Sequence, residues 1–115
     1  MVAFTVGQQL GPNDLKVELT DANGAPFDPE EIYYTFYGDP IKDAYQITER
    51  SLSPWRVGLA LRSPSRASEG SYYVAEKISS AFLAGGYYVE WAIRRTSTSP
   101  LEIIGRKEFA VIRGV

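Results

Sequence analysis

The chain has 115 residues and a formal net charge of −2, and it contains no cysteine and no histidine. These absences exclude disulfides, cysteine nucleophiles, zinc-thiolate and iron–sulfur sites, imidazole metal ligands and histidine-containing catalytic triads. The length, with 44% hydrophobic and 23% charged residues, is typical of one globular domain, which we expect to span residues 1–115. The composition therefore predicts a single domain that is not an enzyme and that holds no cofactor and no metal.

Alternation of apolar and polar residues predicts the strands, because successive side chains of a strand point to opposite faces of the sheet. In chain order the predicted strands are residues 2–6, 15–19, 32–37, 45–49, 55–61, 72–77, 87–93, 101–104 and 107–112. Turn residues separate them about every 8 to 12 residues, a spacing typical of an all-β sandwich or barrel. The one helical signal lies over residues 78–82, where Ile78 and Phe82 are four residues apart and we expect one or two helical turns at most. The prediction is an antiparallel sandwich of seven to nine short strands.

The apolar face of each predicted strand gives the expected core. It consists of Leu15, Val17, Leu19, Tyr34, Phe36, Val57, Leu59, Tyr72, Val74, Val89, Trp91, Ile93, Phe109 and Val111.

Tyrosine doublets are the most informative pattern for function. Each of the pairs at 33–34, 72–73 and 87–88 must direct one ring to the core and one outward. The outward set is Tyr33, Tyr37, Tyr73 and Tyr88. Tyrosine is enriched at protein interfaces, so these residues form a candidate partner surface, with single exposed aromatic residues as the alternative. We expect replacement of Tyr33 and Tyr37 by serine to weaken assembly without unfolding the chain.

Charge is divided unevenly along the sequence, with a net of −7 over residues 1–49 and +5 over residues 50–115. This division is compatible with head-to-tail contacts between copies, although intermixed strands could cancel it in space. Arg56 and Arg62 should share the solvent face of one strand and belong to the candidate partner surface. The net negative charge argues against nucleic acid as a partner.

Two acidic groups could be mistaken for functional sites. The segment 28–31 contains three carboxylates around a proline, and the segment 21–24 begins like a calcium loop. The first has no separated acid pair, and the second lacks the downstream glutamate of an EF-hand. We interpret them as a solvated loop and a tight turn.

Five segments resemble small immunoglobulin-like β-sandwich proteins of tailed bacteriophages. They are the strand and turn from Leu15 to Gly24, the segment from Val57 to Leu61, Gly70-Ser71-Tyr72-Tyr73-Val74, Ala84-Gly85-Gly86-Tyr87-Tyr88-Val89-Glu90-Trp91 and Phe109-Ala110-Val111. The resemblance covers about residues 14–112 and implies an immunoglobulin-like fold and a virion structural role in a neck, tail, baseplate or fibre-attachment assembly. The chain would dock onto other virion proteins and copies of itself, without a small-molecule ligand.

A carbohydrate-binding module is the alternative function, with Trp55 as the best candidate for stacking on a sugar. The longest apolar runs, such as residues 81–84, have only four residues and are far shorter than the roughly 20 residues that span a bilayer. We therefore expect neither a membrane-spanning segment nor a signal peptide, and a location in the virion after assembly in the host cytoplasm.

Overall fold

The computed structural model describes residues 2–38, 55–82 and 84–112, without the side chain of Trp55. Within these ranges the chain forms eight strands and no helix. The strands are β1 (Val2–Thr5), β2 (Lys16–Glu18), β3 (Glu31–Gly38), β4 (Trp55–Arg62), β5 (Ser65–Ser68), β6 (Ser71–Tyr73), β7 (Gly85–Arg94) and β8 (Glu102–Ile112). The all-β prediction is confirmed, and the strand predicted over 45–49 lies outside the described residues.

The strands form two sheets. The larger has the order β1-β8-β7-β3-β4 and the smaller has the order β2-β6-β5. Every described strand pair is antiparallel except β1–β8, which is parallel. β1 and β8 come from opposite ends of the chain, so no tight hairpin imposes an antiparallel direction on them.

One hydrophobic core lies between the two sheets. Phe109 of β8 is fully buried and contacts the rings of Phe4, Phe36, Phe82 and Tyr87 at centroid distances of 5.6 to 6.3 Å. Leu15 and Val74, which flank the short strands β2 and β6, belong to the same cluster. The predicted core is confirmed except at two positions: Val17 is only partly buried, and Leu59 is 71% exposed.

Two local expectations are wrong in detail. The pair of strands predicted over 101–104 and 107–112 is one continuous strand, β8, whose pairing with β7 shifts between Trp91 and Ala92. Over 78–82 the chain forms a turn closed by a 3.1 Å hydrogen bond from the Phe82 N–H to the Ser79 carbonyl. The apolar spacing in that segment still identified two buried core residues, Ile78 and Phe82.

Candidate docking surface

Three of the predicted interface residues lie in one row across the outer face of the larger sheet. Tyr37 on β3 lies opposite Tyr88 on β7 and, on its other side, opposite Arg56 on β4. The tyrosine rings are stacked, with centroids 5.3 Å apart and planes at 25°. The Arg106 guanidinium on β8 lies 4.8 Å from the Tyr88 centroid, a cation–π distance. Arg106 pairs with Glu90 rather than with Tyr88, so it reaches the Tyr88 ring diagonally from a different row of β8.

The members of this row differ in how much a partner could contact them. Tyr88 is only 7% exposed, whereas Tyr37 is half-buried. Arg56 is exposed and has no ion pair within the described ranges. The accessible chemistry of the row is thus the Tyr37 ring and an uncompensated positive charge.

Tyr33 lies on the same face of β3 but is engaged within the chain. Its hydroxyl donates a 3.0 Å hydrogen bond to Glu31, which is also ion-paired with Arg94. The Arg94 guanidinium and then the Tyr33 hydroxyl hold the pKa of Glu31 below its usual value. Accepting this hydrogen bond, Glu31 raises the pKa of Tyr33. This cluster ties β3 to β7, and Arg94 extends it by donating to the carbonyl of Ser99 at 2.5 Å.

The remaining predicted residues, Tyr73 and Arg62, lie elsewhere. Tyr73 is on β6 of the smaller sheet, between Lys16 and Ser65. Arg62 is opposite Tyr34, whose side chain belongs to the core. The prediction that Arg56 and Arg62 share one face is wrong, because β4 does not keep a regular pairing register between them.

The irregularity in β4 is a large bulge. Val57 and Arg62 lie opposite Phe36 and Tyr34, so residues 58–61 of β4 stand opposite a single residue of β3. A β-bulge usually adds one residue to one strand, and this one adds three. The bulge reverses the expected alternation, which is why Leu59 is not in the core.

The bulge presents leucines to solvent on a strained backbone. Leu59 is 71% exposed and Leu61 is 47% exposed. Leu61 has a φ of 53° and Gly58 a φ of 79°, in the left-handed region that disfavours leucine. A Cβ at Gly58 would come within 3.3 Å of the Arg62 guanidinium, so that arginine packs closely beneath the bulge.

Two polar contacts anchor the bulge to the sandwich. The N–H of Leu61 donates to the hydroxyl of Thr35 at 3.0 Å, and Thr35 is buried. Arg62 forms a 2.6 Å ion pair with Glu76, which also accepts a hydrogen bond from the Tyr34 hydroxyl. Burial, followed by the interaction with Glu76, raises the pKa of Tyr34 well above its usual value. The bulge is therefore held by a contact to β3 and by an ion pair to the segment that follows β6.

A second polar cluster joins the segment before β3 to the β5–β6 hairpin. The Asp28 carboxylate accepts hydrogen bonds from Arg66 at 2.8 and 3.1 Å, from the Gly70 N–H at 3.0 Å and from the Tyr72 hydroxyl at 2.7 Å. Arg66, then Gly70 and Tyr72, hold the pKa of Asp28 far below its usual value. These four hydrogen bonds assign the Asp28 carboxylate a structural task.

The acidic segment 28–31 does not assemble a metal site. Two open clefts of about 280 and 240 Å³ share Glu30 and Glu31 in their walls, and Glu31 is already paired with Arg94. Within the described ranges no three acidic side chains are grouped to hold a metal ion. The described residues also contain no helix that could span a membrane.

Two features of this surface were not predicted from the sequence: the leucine bulge of β4 and the position of Arg106 over the Tyr88 ring. Gly58 could have indicated the bulge, because a glycine inside an alternating strand pattern often marks one. The sugar-stacking alternative depended on Trp55, whose side chain lies outside the described residues.

No protein-family model, no curated protein sequence and no solved structure matches this chain.

Proposed function

We propose that this chain is a non-enzymatic structural protein of a tailed-bacteriophage virion, in a neck, tail or baseplate assembly, where it docks onto neighbouring subunits. The docking role rests on one observation: β4 carries an anchored bulge that holds Leu59 and Leu61 in solvent. The virion context rests on the resemblance of the tyrosine-rich strands to phage proteins.

The strand order supports an immunoglobulin-like architecture. The order β8-β7-β3-β4 corresponds to strands G, F, C and C′ of a variable-type domain, and β2-β6-β5 corresponds to B, E and D. β1 adds to the outer edge of β8 as a parallel strand. Such sandwiches serve many unrelated functions, so the functional argument rests on the surface.

The bulge has the properties expected of a docking element. A residue held in a disfavoured conformation persists only where the surroundings enforce it, and such strain is concentrated at functional sites. Here Thr35 and the Arg62–Glu76 ion pair enforce it. The matching partner surface is apolar where it meets the leucines and carries a carboxylate opposite Arg56.

The edges of the described sheets favour docking through side chains over addition of a strand. Strand addition needs a row of regularly spaced backbone groups. The edge strands β1 and β2 have four and three residues, and the edge strands β4 and β5 both contain register shifts. A partner is therefore expected to contact the leucines and Arg56 rather than extend a sheet.

The test is incorporation into particles. Virions made from the genome that carries this sequence are purified, and the chain is quantified by mass spectrometry for wild type and for the double variant Leu59→Asn with Leu61→Asn. A control variant, Ala67→Asn, places the same side chain on an exposed position of β5, away from the bulge. Circular dichroism and thermal unfolding establish that each isolated variant is folded.

We expect several copies of the wild-type and control chains per particle and at least a tenfold loss for the double variant. Absence of the wild-type chain from purified particles would overturn the virion assignment. Normal incorporation of a folded double variant would overturn the docking role of the bulge.

The same variants address the carbohydrate-binding alternative. One face of Tyr88 is stacked against Tyr37 and Arg106 lies over its ring, so this ring does not offer a sugar-stacking platform. Saccharide-dependent Trp fluorescence that survives in the double variant would favour the carbohydrate-binding class instead.

A further inference from the structure

The charged side chains of the described residues separate toward opposite ends of the sandwich. The acidic end comprises the rows from Glu31 to Tyr33 on β3, the β2–β3 and β5–β6 connections and the start of β8, together with Glu18 at the end of β2, Arg66 of β5 and Arg95 just after β7. It carries seven acidic against three basic residues. The basic end comprises the rows from Tyr34 to Gly38 and the segments beside them, and carries six basic against four acidic residues. The residues outside the described ranges contribute three of each sign.

The turns of the smaller sheet belong to the acidic end of the larger one. The Leu19 N–H donates to the Gly70 carbonyl at 2.7 Å, which brings the β2 end to the β5–β6 turn. Leu19 packs with Ile93 near the end of β7, and Arg95 lies 5.5 Å from the Phe27 ring centroid. The two sheets thus share one end.

At the acidic end the positive charges are already neutralised. Each arginine is paired with a carboxylate: Arg66 with Asp28, Arg94 with Glu31 and Arg95 with Glu102. The exposed carboxylates without an ion pair among the described residues are Glu18, Asp21, Glu30 and Glu69. This end therefore presents an uncompensated negative surface.

At the basic end, positively charged side chains outnumber carboxylates. Its cations without a carboxylate partner in the described part of the chain are Lys16, Arg56, Lys77, Arg106 and Lys107. Each end also exposes an isoleucine of β8: Ile103 at the acidic end and Ile112 at the basic end, with 66% and 53% of their surface exposed. Both ends thus combine apolar and charged surface, with opposite sign.

We propose that copies of this chain associate head to tail, with the acidic end of one copy on the basic end of the next. Complementary charge steers association and fixes orientation, and like charges in contact oppose the wrong arrangement. Two equal ends repel each other, so a symmetric end-to-end pair is disfavoured. A contact between different surfaces repeats, and it generates a ring or a filament. This interface is separate from the β4 bulge.

The experiment uses complementary charge reversals in the full chain. Variant A carries Lys77→Glu and Lys107→Glu at the basic end, and variant B carries Glu18→Lys and Glu69→Lys at the acidic end. A matched control carries Lys77→Arg and Lys107→Arg, which keep the charge. Each is studied by analytical ultracentrifugation at 50 mM and 500 mM NaCl, after thermal unfolding has shown that it is folded.

At 50 mM NaCl the wild type and the control should sediment as oligomers, and variants A and B should each sediment as the 12.8 kDa monomer. An equimolar mixture of A and B should form A–B dimers, because the unchanged acidic end of A then meets the unchanged basic end of B. At 500 mM NaCl the wild type should dissociate, since charges at protein surfaces are strongly screened there. A monomeric wild type at 50 mM NaCl, oligomers of A or B alone, or a monomeric mixture would overturn the proposal.

The result is distinguishable from the test of the proposed function. The variant Leu59→Asn with Leu61→Asn should self-associate like the wild type, because it leaves both charged ends intact. Loss of particle incorporation with unchanged self-association assigns the bulge to a different partner.

Discussion

At the scale of single residues, Leu61 has a backbone conformation that is unfavourable for leucine. A φ of 53° brings the Cβ of a residue close to the following carbonyl, which costs leucine roughly 1–2 kcal/mol. Asparagine tolerates this conformation better, because its short polar side chain can form local hydrogen bonds. The exposed side chain of Leu61 offers little burial in the isolated chain to offset that cost.

We therefore expect Leu61→Asn to raise the free energy of unfolding of the isolated chain by about 1 kcal/mol. The matched change Leu59→Asn removes an exposed leucine from the same bulge at a residue without positive φ, and should stay within about 0.5 kcal/mol. Urea unfolding followed by Trp fluorescence measures both. Loss of stability in Leu61→Asn would mean that the leucine side chain itself holds the bulge.

The negatively charged form of Asp28 stabilises the folded chain. Its pKa is held far below the ordinary value by Arg66, Gly70 and Tyr72, so the folded chain binds its proton less readily than the unfolded chain. The stabilisation is therefore complete above the unfolded pKa of about 3.9 and is lost progressively as the pH falls below it toward the folded pKa.

The corresponding prediction concerns Asp28→Asn. The urea midpoint of this variant should lie below that of the wild type at pH 7, and the difference should shrink as the pH is lowered from 5 to 2.5. Asp21→Asn serves as a control, because Asp21 accepts only backbone hydrogen bonds within its own turn. A difference that is constant over this pH range would contradict the assigned role of the Asp28 charge.

At the scale of elements, the β5–β6 turn fastens the smaller sheet to the β2–β3 connection. Gly70 has a φ of 74°, and a Cβ there would lie 2.7 Å from the Leu19 carbonyl oxygen and 3.0 Å from the Phe27 nitrogen. Both neighbours are backbone atoms, so they cannot move aside as a flexible side chain could. The turn thus requires glycine for conformation and for space.

Gly70→Ala should lower the free energy of unfolding by about 2–3 kcal/mol, combining backbone strain with displacement of neighbouring backbone. Gly24→Ala is the control, because Gly24 also has a positive φ, of 83°, but has no atom within 4 Å of the added Cβ. It should lose only about 1 kcal/mol. Equal losses in the two variants would show that the close packing at Gly70 contributes nothing.

How far the elements could be predicted depends on their regularity. β3 and β7 alternate without interruption, and Tyr34, Phe36, Val89 and Trp91 are buried as their spacing requires. In β4 the alternation fails after Val57, where the bulge begins. Apolar and polar alternation in the sequence does not show how many residues a bulge inserts. The parallel pairing of β1 with β8 depends on contacts between distant residues, and no local signal specifies it.

The candidate site could be predicted only in part for the same reason. Strand alternation placed Tyr37, Tyr88 and Arg56 on one face, and the register then aligned them in one row. The pattern could not reveal that Tyr33 is engaged by Glu31, or that Arg62 turns toward Glu76. These pairings depend on the shift within β4 and on the approach of the two sheets, which are properties of the folded chain.

At the scale of the whole molecule, the division of charge along the sequence survives folding in a modified form. Strands of both halves intermix in the larger sheet, yet the ion pairs of Arg66, Arg94 and Arg95 neutralise cations at the acidic end, whereas among the described residues only Arg62 is so paired at the basic end. The lysines of the basic end have no such partners within the described ranges. Folding therefore converts a difference between two halves of the chain into a difference between two ends of the sandwich.

The stability of the sandwich depends on the aromatic cluster around Phe109. This side chain is fully buried and contacts rings from β1, β3, β7 and the 78–82 turn. Phe109→Ala removes these contacts and leaves a cavity, so the free energy of unfolding should fall by about 3–5 kcal/mol. That is a large share of the roughly 5–15 kcal/mol that stabilises a typical domain.

Ile103→Ala is the matched control on the same strand, because Ile103 is mostly exposed and its loss should cost no more than about 0.5 kcal/mol in the isolated chain. Urea unfolding at 500 mM NaCl measures both variants where association through the charged ends is screened. At 50 mM NaCl, Ile103→Ala should instead lower the extent of self-association, because its side chain lies at the proposed interface. A small loss in Phe109→Ala would show that the aromatic cluster contributes little to the stability of the fold.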